Sequence, residues 1–202
     1  MAKTYRAGFI GAGNMARAII GGMVEKGLYS ANEIIVSNRS QKKLEALHKD
    51  LGVIMAKNNE EAANEAELLF IAVKPQQFAS VAPEIAPVLD KGCVVVSIMA
   101  GMSMQQVQAA LGGEAAIIRA MPNTPAQIGY GMTALCAQSD VPAEALTSVQ
   151  RIFESVGQSL VVEEHLMDAA GAVSGCGPAY VYQMIEALSD GGVMVGLPRR
   201  CV

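Results

Sequence analysis

Aromatic residues are scarce, 4% of a 202-residue chain, and Trp is absent. A protein that stacks single-stranded bases needs more aromatic platform than this. The net charge of -4 argues further against a nucleic-acid partner. Cysteine is sparse too. Its four positions, Cys93, Cys136, Cys176 and Cys201, are dispersed without a C-x-x-C pair. That spacing excludes a disulfide framework and predicts no metal site, and it fits a reducing, cytoplasmic compartment. Charged residues make up only 17% against 51% hydrophobic, a balance that excludes disorder. Long apolar runs are missing as well. The stretch Leu68 to Val73 is far short of the roughly 20 residues that span a bilayer, so no membrane partner is expected. Lys3 and Arg6 ahead of an apolar stretch imitate a signal peptide, but Asn14 and Arg17 interrupt it and no cleavage site follows.

What is present is Ala, Val, Ile and Met with 20 Gly, a mixture suited to helices packed tightly on a parallel sheet. Ala7 to Ile10 reads as a strand, followed by helical spacing from Met15 to Lys26. Ile34-Ile35-Val36 is the next strand, and a charged helix from Ser40 turns Leu44 and Leu47 inward. Asn58 with Glu61, and Ser103 with Gln106, read as capping boxes. Leu68 to Val73, Cys93 to Ile98, Ala116 to Ile118, Met132 to Ala137 and Gln158 to Val162 are further strands, with helices opening at Pro75 and near Pro142. Strands apolar on both faces and separated by single helices predict a parallel, doubly covered sheet. From His165 onward the pattern is helical, in two stretches flanking Ser174 to Pro178. The expected fold is α/β: a Rossmann-like, doubly wound parallel sheet over residues 1–163, followed by the start of an all-helical C-terminal domain over 164–202.

Gly11-Ala12-Gly13-Asn14-Met15-Ala16 fits G-x-G-x-x-A between a strand and a helix. The first glycine permits the tight turn, the second admits a pyrophosphate, and the small third residue lets helix and strand approach. The helix N-terminus supplies N–H donors and partial positive charge. An NAD site would place Asp or Glu at the end of the second strand, whereas this chain reads Ser37-Asn38-Arg39-Ser40. A guanidinium and hydroxyls there favour a 2′-phosphate, hence NADPH, with NADH as the alternative. The competing reading makes Arg39 a solvated loop charge and Ser40 a helix cap.

Three later segments fall at the same sheet edge, where ligands of open α/β sheets lie. Ala72-Val73-Lys74-Pro75 ends one strand, with Lys74 either on the cofactor or turned outward. Ile98-Met99-Ala100 offers small, backbone-exposing residues for a nicotinamide. Met121-Pro122-Asn123-Thr124-Pro125 makes either a polar shelf where cofactor and substrate meet, or a structural proline-rich turn. His48 and His165 form no constellation with a nucleophile, so chemistry carried by a cofactor is the economical reading.

The segments Phe9 to Met15, Ala72 to Pro75, Arg119 to Pro125, Val173 to Val181 and Asp190 to Val193 resemble, in order, those of pyrroline-5-carboxylate reductase. The resemblance implies transfer of a hydride from NAD(P)H to the C=N bond of 1-pyrroline-5-carboxylate, giving L-proline in a homodimer or higher oligomer. It puts cofactor contacts on Ile10, Gly11, Ala12, Gly13, Asn14, Met15, Ser37, Asn38, Arg39, Ser40, Asn59, Ala72, Val73, Lys74, Pro75, Ile98, Met99 and Ala100. It puts Glu164 at an acidic substrate-side position, beside which the polar shelf supplies Asn123 and Thr124 as the other catalytic candidates. Cys176 stands where the family usually has Ser. Family members continue beyond the counterpart of Val202 with helices and a substrate-carboxylate turn, so the sequence predicts cofactor binding with poor turnover, and self-association through residues 179–195. Two rivals remain: another imine or β-hydroxyacid reductase, and a non-catalytic NADP-binding remnant.

Overall fold

Alternating apolar strands dictate a sheet that must be covered on both faces, and the computed structural model, which describes residues 3–90, 92–113 and 115–201, has that arrangement. In chain order the elements are β1 (Tyr5–Ile10), α1 (Asn14–Glu25), β2 (Ile34–Ser37), α2 (Gln41–Leu51), β3 (Ile54–Met55), α3 (Asn59–Glu65) and β4 (Ala66–Ile71). Then come α4 (Pro75–Ile85), β5 (Val94–Ser97), α5 (Met104–Ala110), β6 (Ala116–Met121), β7 (Gly131–Ala137), α6 (Ala143–Glu154) and β8 (Gly157–Val161). The strands form one sheet in the order β3-β2-β1-β4-β5-β6-β7-β8. The strand order reverses between β1 and β4, which makes the crevice at their carboxyl ends the natural ligand position.

Two apolar layers sandwich the sheet. Phe9, Phe70, Val96 and Ile118 pack against Ile19, Ile20, Leu44, Leu47, Ile152 and Phe153 on one face. Ile10, Leu69, Ile71, Val95 and Ile117 pack against Phe78, Val81, Ile85 and Val107 on the other. Neighbouring residues of one strand thus serve opposite layers, as the two-residue period of a strand requires. The Phe9 and Phe70 rings stack at 4.4 Å, and Phe153 meets Phe70 edge-on. Each such fully buried side chain contributes about 1.5–3 kcal/mol.

The expected all-parallel sheet needs one correction. β6 and β7 pair antiparallel, while every other neighbouring pair is parallel. Between them lies only a short link with a 3-10 turn, Thr124–Ile128. A parallel return needs a crossover of about a dozen residues or more, so the chain can only double back. The capping expectations are met in full at Ser103, whose box with Gln106 closes in both directions. Asn58 does cap Glu61 N–H at 2.8 Å, but the Glu61 carboxylate accepts from Lys57 N–H instead of closing the box.

Beyond β8, the two expected helical stretches run almost continuously: α7 (Met167–Ala170), a π-helical segment Gly171–Gly175, and α8 (Gly177–Met194). Pro178 does not break the run because it lies at the start of α8, where its missing N–H costs no helical bond. Two buried polar side chains from β6 and its loop fasten this region to the sheet. Arg119 meets Asp168 at 2.9 Å and Glu164 at 3.9 Å. Asn123, 7% exposed, accepts from Met132 N–H and donates to the Ser174 carbonyl, each at 2.9 Å. Both ends of its amide are therefore committed to the backbone.

Replacing Asn123 by Ala strands the Met132 N–H and the Ser174 carbonyl, and an unmade buried bond costs about 1–3 kcal/mol. The Asn123→Ala variant should melt several degrees below the parent by calorimetry. An unchanged Tm would show that these two bonds do not fasten the helical region.

Candidate cofactor site

A cavity of about 630 Å³ opens at the crevice between β1 and β4. Its wall takes Ile10 to Gly13, Ser37 to Ser40, Asn59 and Ala72 to Lys74 from the sequence-predicted set. Gln41, Lys43, Lys57, Gln77 and Glu84 also line it, and sequence reading missed them. For Lys43 the signal was available: it sits three residues after Ser40, in the first turn of a helix entered from the suspected phosphate loop.

Local conformation explains the glycine-rich turn. Gly11 has φ +110, and a Cβ there would come within 2.5 Å of the Ala72 carbonyl oxygen. Neither the backbone nor the neighbouring chain allows another residue. Gly13 is a different case. Its φ of -78 suits any residue, and no protein atom lies within 4 Å of where its Cβ would be. Packing within the chain does not require glycine there, and the space in front of α1 is open.

Three helices begin at this cavity without side-chain caps. Gly13 precedes α1, Ser40 precedes α2 and Lys74 precedes α4, and none makes a side-chain capping bond. Their first turns also lack acidic residues. The unsatisfied N–H groups and the aligned peptide dipoles make such ends attractive to anions. The reading of Ser40 as a helix cap fails here, since its hydroxyl is free of that bond. Arg39 and Lys43 add cationic charge beside it. Asn38 is occupied differently: its Oδ1 accepts from Ala12 N–H at 3.0 Å and its Nδ2 donates to the Ser40 carbonyl, tying the two loops together.

The remaining sequence-predicted residues lie outside this cavity. Asn14 borders a second depression, of about 690 Å³, on the far side of α1. The Met15 side chain packs on the core, and Pro75 occupies the first position of α4. Ile98 to Ala100 and Asn123 to Thr124 follow the carboxyl ends of β5 and β6, and Met99 itself is buried in the second apolar layer. The Thr124 hydroxyl residue is exposed. Glu164 accepts from Met104 N–H at 2.7 Å, across the entrance to α5.

Nucleophilic alternatives find no support nearby. Burial pushes the Cys93 thiol up to about 12 and the Cys136 thiol to about 11. Neither forms appreciable thiolate at neutral pH. His48 is held by the Val53 carbonyl at 2.7 Å, and His165 is exposed beside Glu163. Among the described residues no cluster of His, Cys, Asp and Glu has the makings of a metal site, and no helix is long and apolar enough to cross a membrane.

Comparison with known proteins agrees with this geometry. Residues 6–101 match the family model for NADP oxidoreductases, coenzyme F420-dependent, and residues 164–201 match that for pyrroline-5-carboxylate reductase dimerisation. The chain is 46% identical to a pyrroline-5-carboxylate reductase of Synechocystis over 97% of its own length and 73% of the relative's. For the Escherichia coli enzyme the figures are 41%, 96% and 72%. Among solved structures, the Coxiella burnetii pyrroline-5-carboxylate reductase superposes with a TM-score of 0.89 at 35% identity, covering 98% of this chain and 74% of that one. The Plasmodium falciparum pyrroline carboxylate reductase with NADP bound gives 0.87 at 32% identity, covering 100% and 74%. With its nucleotide-binding turn, its uncapped helix ends and these relatives, the chain belongs to the pyrroline-5-carboxylate reductase family.

Proposed function

We propose that this NAD(P)H-dependent oxidoreductase, a pyrroline-5-carboxylate reductase, draws on NADPH in preference to NADH and holds it in the β1/β4 crevice. When bound, the reduced cofactor would supply a hydride to the carbon of the C=N bond of 1-pyrroline-5-carboxylate, and with one proton taken up on the ring nitrogen the product is L-proline. The observation that carries the preference is the uncapped start of α2, where Ser40, Arg39 and Lys43 meet without any carboxylate in the first turn. Such a set suits a phosphate ester and lacks the carboxylate acceptor that would favour a bare pair of ribose hydroxyls.

The chain's own residues divide the work. Gly13 to Met15 present backbone N–H groups to the pyrophosphate, with Gly13 leaving it room, while the Gly11 and Ala12 N–H groups are held by the Ser37 carbonyl and Asn38 Oδ1. Arg39, Ser40 and Lys43 hold the 2′-phosphate, and Ser37 with Asn59 attends the adjoining ribose. Ala72 to Pro75 and Ile98 to Ala100 floor the path toward the nicotinamide end along the carboxyl edge of β4 and β5. Asn123 acts by fixing the loop that presents Thr124, and Glu164 borders the acceptor from the helical side. Holding donor and acceptor in register lowers the entropic part of the barrier, which is where this arrangement contributes most. The cofactor domain, residues 1–163, is read as cytoplasmic, and residues 164–202 as part of a helical substrate and dimerisation domain.

Self-association follows from α8. Tyr180, Val181, Met184, Ile185 and Leu188 are all exposed, and no residue of α8 is buried. An apolar surface of this extent marks an interface. We assign it to a second copy, as the dimerisation match over 164–201 suggests.

Two measurements test these readings. NADPH should bind roughly ten- to a hundredfold more tightly than NADH, the worth of a charge-assisted hydrogen bond. Arg39→Asp should erase that ratio, and Lys43→Ala should weaken NADPH while leaving NADH nearly unaffected. Equal affinities in the parent protein would refute the preference. Sedimentation should find a dimer or larger assembly, with Leu188→Glu shifting it toward monomer; a monomeric parent protein would refute the interface.

A further inference from the structure

We propose that Glu84 is a positioning residue for the cofactor pocket: acting through Asn59, it fixes the direction in which the Ser37 hydroxyl points its hydrogen. The proposal rests on the reading of the 630 Å³ cavity as the cofactor site.

Three elements meet in one line of hydrogen bonds. Ser37 ends β2 and is buried, Asn59 opens α3, and Glu84 sits in the last turn of α4. The Ser37 hydroxyl lies 2.5 Å from Asn59 Oδ1, and Asn59 Nδ2 donates to Glu84 Oε2 at 2.6 Å. All three line the same cavity wall.

The order of donors along this line is forced from its far end. An ionised carboxylate can only accept, so Asn59 must turn its NH₂ toward Glu84. The amide oxygen then faces Ser37, and only the Ser37 O–H can fill that gap. With its hydrogen spent, the Ser37 oxygen offers lone pairs to the cavity. An acceptor at this point complements a sugar hydroxyl and repels a phosphate oxygen. The opposite arrangement holds at Arg39, Ser40 and Lys43, where donors prevail. Glu84 thereby sorts the pocket into an accepting wall for the ribose and a donating wall for the phosphate.

The charge of Glu84 makes the proposal testable by sign. NADPH is a polyanion, and a carboxylate in its pocket opposes binding through space. If Glu84 were a bystander, removing it would tighten binding. If it orients Asn59 and Ser37, removing it weakens binding. NADPH affinity is measured by fluorescence titration on the parent protein, Glu84→Ala and Glu84→Gln, with Tm recorded for each. Glu84 is exposed, so both variants should keep the parent Tm to within about a degree.

Glu84→Ala should lose roughly three- to tenfold in affinity, the worth of an ordinary hydrogen bond. Glu84→Gln, whose amide oxygen can still accept from Asn59, should recover to within about twofold of the parent. In an Asn59→Ala background, Glu84→Ala should cause no further loss. Unchanged or tighter binding by Glu84→Ala overturns the proposal, as does a Glu84→Gln variant no better than Glu84→Ala. A parent protein that fails to bind NADPH overturns the cofactor reading itself, and this proposal with it.

Discussion

Everything in the site depends on leaving helix ends unsatisfied. An α-helix begins with N–H groups that have no partner, and most chains satisfy them with a Ser, Thr, Asp or Asn side chain. At α3 and α5 this chain does so, through Asn58 and Ser103. At α1, α2 and α4, whose first turns border the β1/β4 crevice, it does not. Those three helices forgo roughly 1 kcal/mol of capping apiece, and in the proposed reading their unmet donors hold a polyanionic cofactor. Uncapped starts are not unique to the crevice, since α6, α7 and α8 lack side-chain caps as well, but only at α1, α2 and α4 do they converge on one cavity.

The rest of the architecture keeps those ends in place. The switch of strand order between β1 and β4 opens the crevice, and the two apolar layers hold the helices against the sheet from either side. Gly11 lets β1 pass within contact of the Ala72 carbonyl, so the first turn and the β4 turn form one continuous floor. Asn38 ties the α1 and α2 entrances to each other through Ala12 and Ser40. On the far flank, Arg119 of β6 and Asn123 of the loop after it couple the sheet to the helical region, so Asn123, a substrate-side candidate, also serves as a fastener.

Local patterns carried much of this in the amino-acid sequence. Apolar runs located seven of the eight strands, missing the two-residue β3, and G-x-G-x-x-A after the first of them pointed to the crevice, because backbone turn geometry depends on residues a few positions apart. The Asn58 side chain and the full Ser103 box were legible for the same reason. The reversal at β7 was less so: it depends on the shortness of the link through Thr124–Ile128, which carries its own 3-10 turn and prolines. The roles of Glu84 and Asn38 were hidden because each acts across elements far apart in the chain. Asn123 stood out in the sequence as part of a polar shelf, yet its partners, Met132 and Ser174, are set by tertiary packing that no local signal encodes.

The central claim is that the nucleotide is gripped by three uncapped helix starts, at Gly13, Ser40 and Lys74. Hydrogen–deuterium exchange of the backbone, with and without saturating NADPH, reads those amides directly. The account predicts slowed exchange in residues 13–16, 40–42 and 74–76 on binding, where Pro75 itself carries no amide, with α6 and the capped start of α5 unchanged. Protection confined to the second depression, around residues 126–129 and 154–157, or no protection at the three helix starts, would contradict it.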